Sequence, residues 1–308
     1  VTALATPARA GPQVSIVIPT RDKAPRLRLT LACLSRQQDA PPMEVVLVND
    51  GSRDDTAEVA AAAGLPLRVV TGPGAGRAAA RNLGANHSEA PYLVFLDDDI
   101  LISPRFVAAH AAAAHPHRFV HGRLRELAFA DRLVGELDGV PAPQVRAFRD
   151  RLFAGRAGPP YRQFGNALER AVEAMTDGSL PDVAPWLGCV GANVAMPRTA
   201  WLASGGFDER FGTQWGCEDL ELGLRLYGAG LERGLAPGAS GVHLTHRRPD
   251  RWEQHEENLE LFSRLHPLPA VTQLAELLSS RGDPRRYVAS VGSSPGAGQA
   301  DRLTGDRR

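Results

Sequence analysis

The chain has 308 residues, with 35 lysines plus arginines against 35 aspartates plus glutamates, 43% hydrophobic and 23% charged. That length supports one large domain, or two intimate ones, with a core that needs no staples, and the balanced charge gives no ground for a nucleic-acid partner. The cysteines at 33, 189 and 217 have no zinc-site spacing or disulfide pattern, no stretch approaches the roughly 18 apolar residues of a membrane span, and residues 1–12 lack a signal core, so a cytoplasmic protein is expected, with peripheral membrane contact left open.

Residues 13–19 (QVSIVIP) read as a short β-rich run closed by a proline. Leu27, Leu31 and Leu34 then fall at helical spacing. A second strand is expected over 43–48, ending in Asn49-Asp50-Gly51-Ser52, followed by a helix over 54–63 and a third strand over 67–70. Residues 72–76 form a glycine-rich turn, 77–86 a helix, and 92–96 a fourth strand that runs straight into Asp97-Asp98-Asp99. This βαβαβαβ series of near-continuous apolar strands argues for an α/β fold with a mostly parallel sheet, which places ligands beyond the carboxyl ends of its strands. Asp50 and the acidic triplet lie at two such ends.

Further on, 104–114 reads as helix and 119–124 as strand. The stretch 124–185 has helical patches near 146–153 and 163–175. An apolar, glycine-containing pattern returns at 186–196. Helices follow at 199–203, 218–227 and 251–265, with a last strand over 241–245. The tail beyond Val291 is rich in glycine, serine and charge, and is expected to be disordered.

Three adjacent aspartates repel one another unless something compensates. A divalent cation with bound phosphates does so, since magnesium and manganese favour carboxylate and phosphate oxygens. The bland reading is a solvated acidic turn. Asp50 can accept a hydrogen bond from a base ring nitrogen, or merely cap the helix that follows. Arg77 and Arg81, one helical turn apart, can reach a diphosphate or form ion pairs. The pattern at 74–79 (GAGRAA) also fits a loose dinucleotide fingerprint, which keeps an NAD(P)-dependent oxidoreductase open as an alternative.

On the far side, Gly216 precedes Glu218 and Asp219, which open a leucine-rich helix. Acids there can be plain helix-end residues. With Trp215 as an apolar wall, Asp219 can instead take a proton from an acceptor hydroxyl, while Glu218 orients the acceptor. His243 is a candidate third metal ligand, His246 a weaker one, and Arg247 and Arg248 are candidates for the diphosphate.

Taken together, VSIVIPTRDKAPRL (14–27), VVLVNDGSRDDT (45–56), GAGRAAARNLGA (74–85), YLVFLDDDI (92–100), GGFDERF and WGCEDLELGLRL resemble the inverting family 2 glycosyltransferases with the GT-A fold. The resemblance covers about 13–122 and 186–248. It implies a Rossmann-like donor half over 13–122 after a flexible 1–12, a helical insertion or cover over 123–185, an acceptor-binding and catalytic half over 186–266, and a C-terminal extension over 267–308. It implies a nucleoside-diphosphate sugar as donor, commonly UDP-linked, with Mn2+ or Mg2+. Pro19, Thr20, Arg21 and Asp50 would meet the base, Asp98 the ribose, Asp99 and His243 the metal, and Asp97 would support them. Asp219 would be the base of a direct displacement. The family's acidic motif usually has two acids around a variable residue, whereas all three positions here are aspartate. Asn49 stands where a second aspartate is common, and 123–185 departs most. The acceptor is left open among carbohydrate, glycolipid, peptide and small natural product. A non-catalytic carbohydrate-binding protein of the same fold is the remaining alternative.

Overall fold

The computed structural model describes residues 11–246 and 251–294. The first half alternates strand and helix: β1 (Val14–Thr20), α1 (Ala24–Leu34), β2 (Met43–Asn49), α2 (Thr56–Ala61), β3 (Leu67–Thr71), α3 (Arg77–Asn86) and β4 (Tyr92–Leu96). β5 (Ile100–Ile102), α4 (Phe106–Ala113), β6 (Arg118–Leu127), α5 (Ala130–Glu136), α6 (Ala142–Phe153), β7 (Gln163–Phe164) and α7 (Ala167–Thr176) follow. The chain then forms β8 (Asn193–Pro197), α8 (Arg198–Ser204), α9 (Glu218–Gly228), β9 (Glu232–His243), α10 (Arg251–Leu265), α11 (Pro269–Thr272) and α12 (Pro284–Ser293).

One sheet runs in the order β3-β2-β1-β4-β8-β6-β9-β5, with β7 added against β6. β3, β2, β1 and β4 are mutually parallel. Every residue of β1 and of β4 is buried, as expected of parallel strands covered on both faces. β8 enters antiparallel to β4, pairing Leu96 with Asn193. The sheet is therefore α/β and mixed: parallel through its first half, and built from both pairings beyond β4. The strand expected at 241–245 is the end of a much longer one, β9, which runs parallel to β6 from Arg118 paired with Glu232 to Glu126 paired with His243. Its glycines, alanines and Pro237 hide it from a hydrophobic-run reading.

The α1 leucines at 27, 31 and 34 are buried against the sheet. The helices of the 123–185 stretch pack in two places. Helix α6 packs on α1, where Arg146 donates to Ser35 Oγ at 3.0 Å, and Val145 and Leu152 are buried. Helix α7 instead joins a separate apolar cluster with Trp186, Leu220, Phe262, Leu274 and Tyr287. α7 begins with a reciprocal cap: Asn166 accepts from the Glu169 amide while Glu169 accepts from the Asn166 amide. Where disorder is expected beyond Val291, α12 continues to Ser293, buried through Tyr287 and Val291; the rest of that tail lies outside the described residues. Among the described residues no helix is long and apolar enough to cross a membrane.

Candidate active site

The carboxyl ends of β1, β2 and β4 open onto a cavity of about 530 Å³ whose wall includes Thr20, Asp50, Asp98, Trp215, Asp219 and His243. On the donor side, Asp50 follows β2 and is 3% exposed. Its carboxylate accepts from the Gly74 amide at 2.8 Å and the Gly76 amide at 2.9 Å. It does not cap the helix that follows: α2 has Asp55 at its N-cap, without a side-chain cap bond, and Asp54 Oδ1 accepts from Thr56. Nor are the Gly74 and Gly76 amides presented to a phosphate, as a dinucleotide fingerprint requires, since Asp50 takes both. Gly72 must be glycine here, because a Cβ would lie 2.5 Å from Asp50 Oδ1. Arg21 donates to the Gly74 carbonyl at 3.3 Å and lines the cavity with Pro19 and Arg77.

The triplet divides its charges among Lys23, two histidines and Arg81. Lys23 Nζ lies 3.0 Å from Asp98 Oδ1 and 2.7 Å from Asp99 Oδ2. Asp99 Oδ1 faces His243 Nε2 at 3.2 Å, and Asp99 Oδ2 faces His246 Nδ1 at 3.6 Å. Burial alone would raise the Asp99 pKa, but Lys23 and His243 hold it well below the ordinary value. Burial likewise opposes a charged His243, yet the Asp99 carboxylate, with help from Glu126, pushes its pKa up to about 10. Asp98 is raised, chiefly by burial and despite Lys23. Asp97 turns the other way, and its Oδ1 accepts from Arg81 Nη2 at 2.8 Å. Arg81 thereby lowers the Asp97 pKa against the effect of burial.

Arg81 is 2% exposed, and its Nη1 donates to Glu218 Oε1 at 2.8 Å. Glu218 is itself 3% exposed and also lies 3.7 Å from Arg77. The sequence reading gives Arg81 to a diphosphate and Glu218 to the acceptor. In the structure the two pair with each other, with Asp97 as the third member, and both also line the cavity. The physical reason is desolvation: a buried guanidinium needs carboxylates more than a ligand does.

Asp219 sits beside this network at the start of α9. Its Oδ2 accepts from the Gly191 amide at 2.8 Å and its Oδ1 from the Leu220 amide at 2.9 Å. Gly191 is small for cause, since a Cβ would lie 2.6 Å from Arg81 Cζ. Burial, then the neighbouring Glu218 charge, raises the Asp219 pKa to about 6 although Arg81 pulls it down. Trp215 lines the same cavity, with its ring 5.0 Å from that of His255. The loops carrying Gly76 and Gly212 abut, since a Cβ on Gly76 would lie 2.1 Å from the Gly212 carbonyl.

The structure thus gathers Asp50, Asp97, Asp98, Asp219, His243, Pro19, Thr20, Arg21, Arg77 and Trp215 around one space. Asp99 lies just beneath, with no exposure. Arg247 and Arg248 fall outside the described residues. Sequence reasoning assigns no role to Lys23, although its being the only lysine was a signal. It also passes over Glu126, Asn166 and Glu169, which line the same cavity. Asn166 donates to Glu126 at 3.1 Å. Burial, then the charge of Glu126, raises the Glu169 pKa to about 7. These residues stand in the segment that carries no motif.

Residues 15–126 match the glycosyl transferase family 2 model, and residues 183–248 match the N-terminal domain of galactosyltransferase. The chain is 33% identical over 285 residues to validoxylamine A glucosyltransferase of Streptomyces hygroscopicus subsp. limoneus, covering 83% of this chain and 57% of that protein. It is 28% identical over 248 residues to chondroitin synthase of Escherichia coli, covering 75% of this chain and 34% of the relative. The chain therefore spans only part of the length of these relatives. Among solved structures, the mannosyltransferase PcManGT from Pyrobaculum calidifontis, in complex with GDP-Man and Mn2+, superposes with a TM-score of 0.58 at 18% identity, covering 96% of this chain and 79% of that one. Through this fold and the match over residues 15–126, the chain carries a family 2 glycosyltransferase domain of the GT-A type.

Proposed function

We propose that the chain transfers a sugar from a nucleoside-diphosphate donor to an acceptor hydroxyl by direct displacement with inversion, and that Asp219 is the general base. The observation that carries this reading is one shared cavity, with Asp50 and the triplet on one wall and Asp219 on the other. Asp50 retains lone pairs for a base N–H beyond the two amides it already binds. Asp98, lining the same cavity, would meet the ribose. Asp219 is oriented by the Gly191 and Leu220 amides, and its raised pKa suits proton removal near neutrality. Arg81 and Glu218 fix the floor between the two sides. Positioning and charge stabilisation then supply most of the gain.

The donor set around Asp99 fits a divalent cation. A carboxylate and the imidazoles of His243 and His246 converge within 3.2 to 3.6 Å, and oxygen with imidazole nitrogen suits Mn2+. Asp99 and His243 would hold the ion, His243 entering as the neutral ring. When bound, the cation supplies electrostatic stabilisation to the departing diphosphate.

UDP is the first donor nucleotide to try, on the family resemblance; the fold neighbour solved with GDP-Man makes GDP the second. For the acceptor, one relative is named for validoxylamine A and another is a chondroitin synthase, so a small natural product and a glycan chain are the two classes to compare. The acceptor side of the cavity, with Glu126, Asn166 and Glu169, is polar enough for either. A thermal-shift screen of UDP- and GDP-sugars with and without Mn2+ tests the donor reading through ligand-linked stability. Stabilisation by one nucleotide family that grows with Mn2+ is expected. Stabilisation by NAD or NADP instead would return the oxidoreductase alternative.

A further inference from the structure

Lys23 is the only lysine in the chain, and it stands at the turn between β1 and α1. That turn is pinned. Asp22 adopts a positive φ of 51°, its Oδ1 accepts from the Arg53 amide, and its own amide donates to Ser52 Oγ. Two residues on, the Ala24 amide donates to Asp54 Oδ2. The backbone is thus fixed, and the flexible stem delivers Nζ to Asp98 and Asp99 at 3.0 and 2.7 Å. The lysine side chain is 16% exposed, and Asp99 is 1% exposed. Nζ rests on Asp99 Oδ2, the same oxygen that His246 Nδ1 approaches. A cation coordinated by that carboxylate and an ammonium 2.7 Å from it repel each other strongly in so buried a place. Among the described residues no three His, Cys, Asp or Glu side chains stand as a preassembled metal cluster.

We propose that Lys23 is the resident counter-ion of the acidic triplet. The divalent cation displaces it from Asp99, and the donor diphosphate, entering the cavity that Lys23 lines, receives the ammonium. This rests on the metal-dependent reading above. Nucleotide and metal then bind synergistically, because the ammonium leaves the carboxylates at less cost once phosphate oxygens are present. By linkage, UDP tightens Mn2+ by the same factor as Mn2+ tightens UDP.

The test is Mn2+ binding to the full chain by electron paramagnetic resonance, with and without UDP or GDP, in the wild type, Lys23→Met and Lys23→Arg. Without nucleotide, Lys23→Met is expected to bind Mn2+ on the order of tenfold more tightly than wild type. Its enhancement by nucleotide is expected to shrink, while Lys23→Arg keeps the wild-type pattern. If Mn2+ binds but Lys23→Met leaves its affinity unchanged or weaker, the Lys23 assignment is overturned and the metal reading stands. If neither protein binds Mn2+ even with nucleotide, the metal reading fails and takes this proposal with it. The wild type gives a check independent of how the variants fold: no synergy between Mn2+ and nucleotide overturns the proposal.

Discussion

The donor and acceptor walls of the cavity treat their carboxylates differently. On the donor wall, Asp97 and Asp99 are held ionised by Arg81, Lys23 and His243, so their pKa values fall despite burial. Elsewhere around the cavity, Asp219 and Glu169 are half-buried beside other acids, and their pKa values rise to about 6 and about 7. Asp98 is the exception on the donor side, raised by burial in spite of Lys23. Permanent charge suits the proposed binding of cation and diphosphate, whereas groups poised near neutrality suit the proposed proton exchange.

The sharpest break comes at the proposed base. Asp219→Asn should lower transfer by about 10²- to 10⁴-fold while leaving Mn2+-dependent nucleotide binding intact, read by steady-state kinetics beside calorimetry. An equal loss of nucleotide binding would erase the distinction between the walls. Next is Arg81, which serves both. Arg81→Met leaves Glu218 buried without its partner and should cost about 3–5 kcal/mol in urea unfolding. A loss below roughly 1 kcal/mol, the range of exposed pairs, would show that the buried network is not needed.

The third prediction concerns pH. Asp219 must be ionised to accept a proton, so kcat/KM should fall tenfold per pH unit below about 6, the value to which burial and Glu218 raise it. An acid limb near the ordinary aspartate value of 3.8 would deny Asp219 its perturbed setting. The smallest effect is on stability. Glu169 binds its proton more tightly folded than unfolded, so its favourable contribution is present below the unfolded value of 4.5 and is lost as pH rises through about 7. Glu169→Gln keeps an acceptor for the Asn166 amide and should flatten the fall in Tm between pH 5 and 8. An unchanged slope would place the titration elsewhere.

The donor half was legible because local signals there agree with the tertiary result. The helix at 77–86 and the strand at 92–96 appear as read, and Asp50, Asp97, Asp98 and Asp99 stand at strand ends as expected. The acceptor half was less so. β9 is interrupted by glycine, alanine and proline and lacks a β-branched run, so only its last residues resemble a strand. Helix α5 starts from Phe129 in a left-handed conformation that no capping residue announces. Glu126 and Glu169 reach the cavity through pairing of β6 with β9 and through the start of α7, contacts too distant in sequence for periodicity to reveal. Arg81 and Glu218 were found as residues, but their mutual contact spans 137 positions. Spacing alone could not show that they face each other.

That contact also sets terms for recombining this domain with its relatives. Arg81 lies inside the first matched segment, 15–126, and Glu218 inside the second, 183–248. A chimera that exchanges the second segment to borrow another acceptor specificity must bring an acid to position 218 and leave room for the guanidinium at 191. Without both, the hybrid inherits an unbalanced interior charge and is compromised before its new substrate is ever offered.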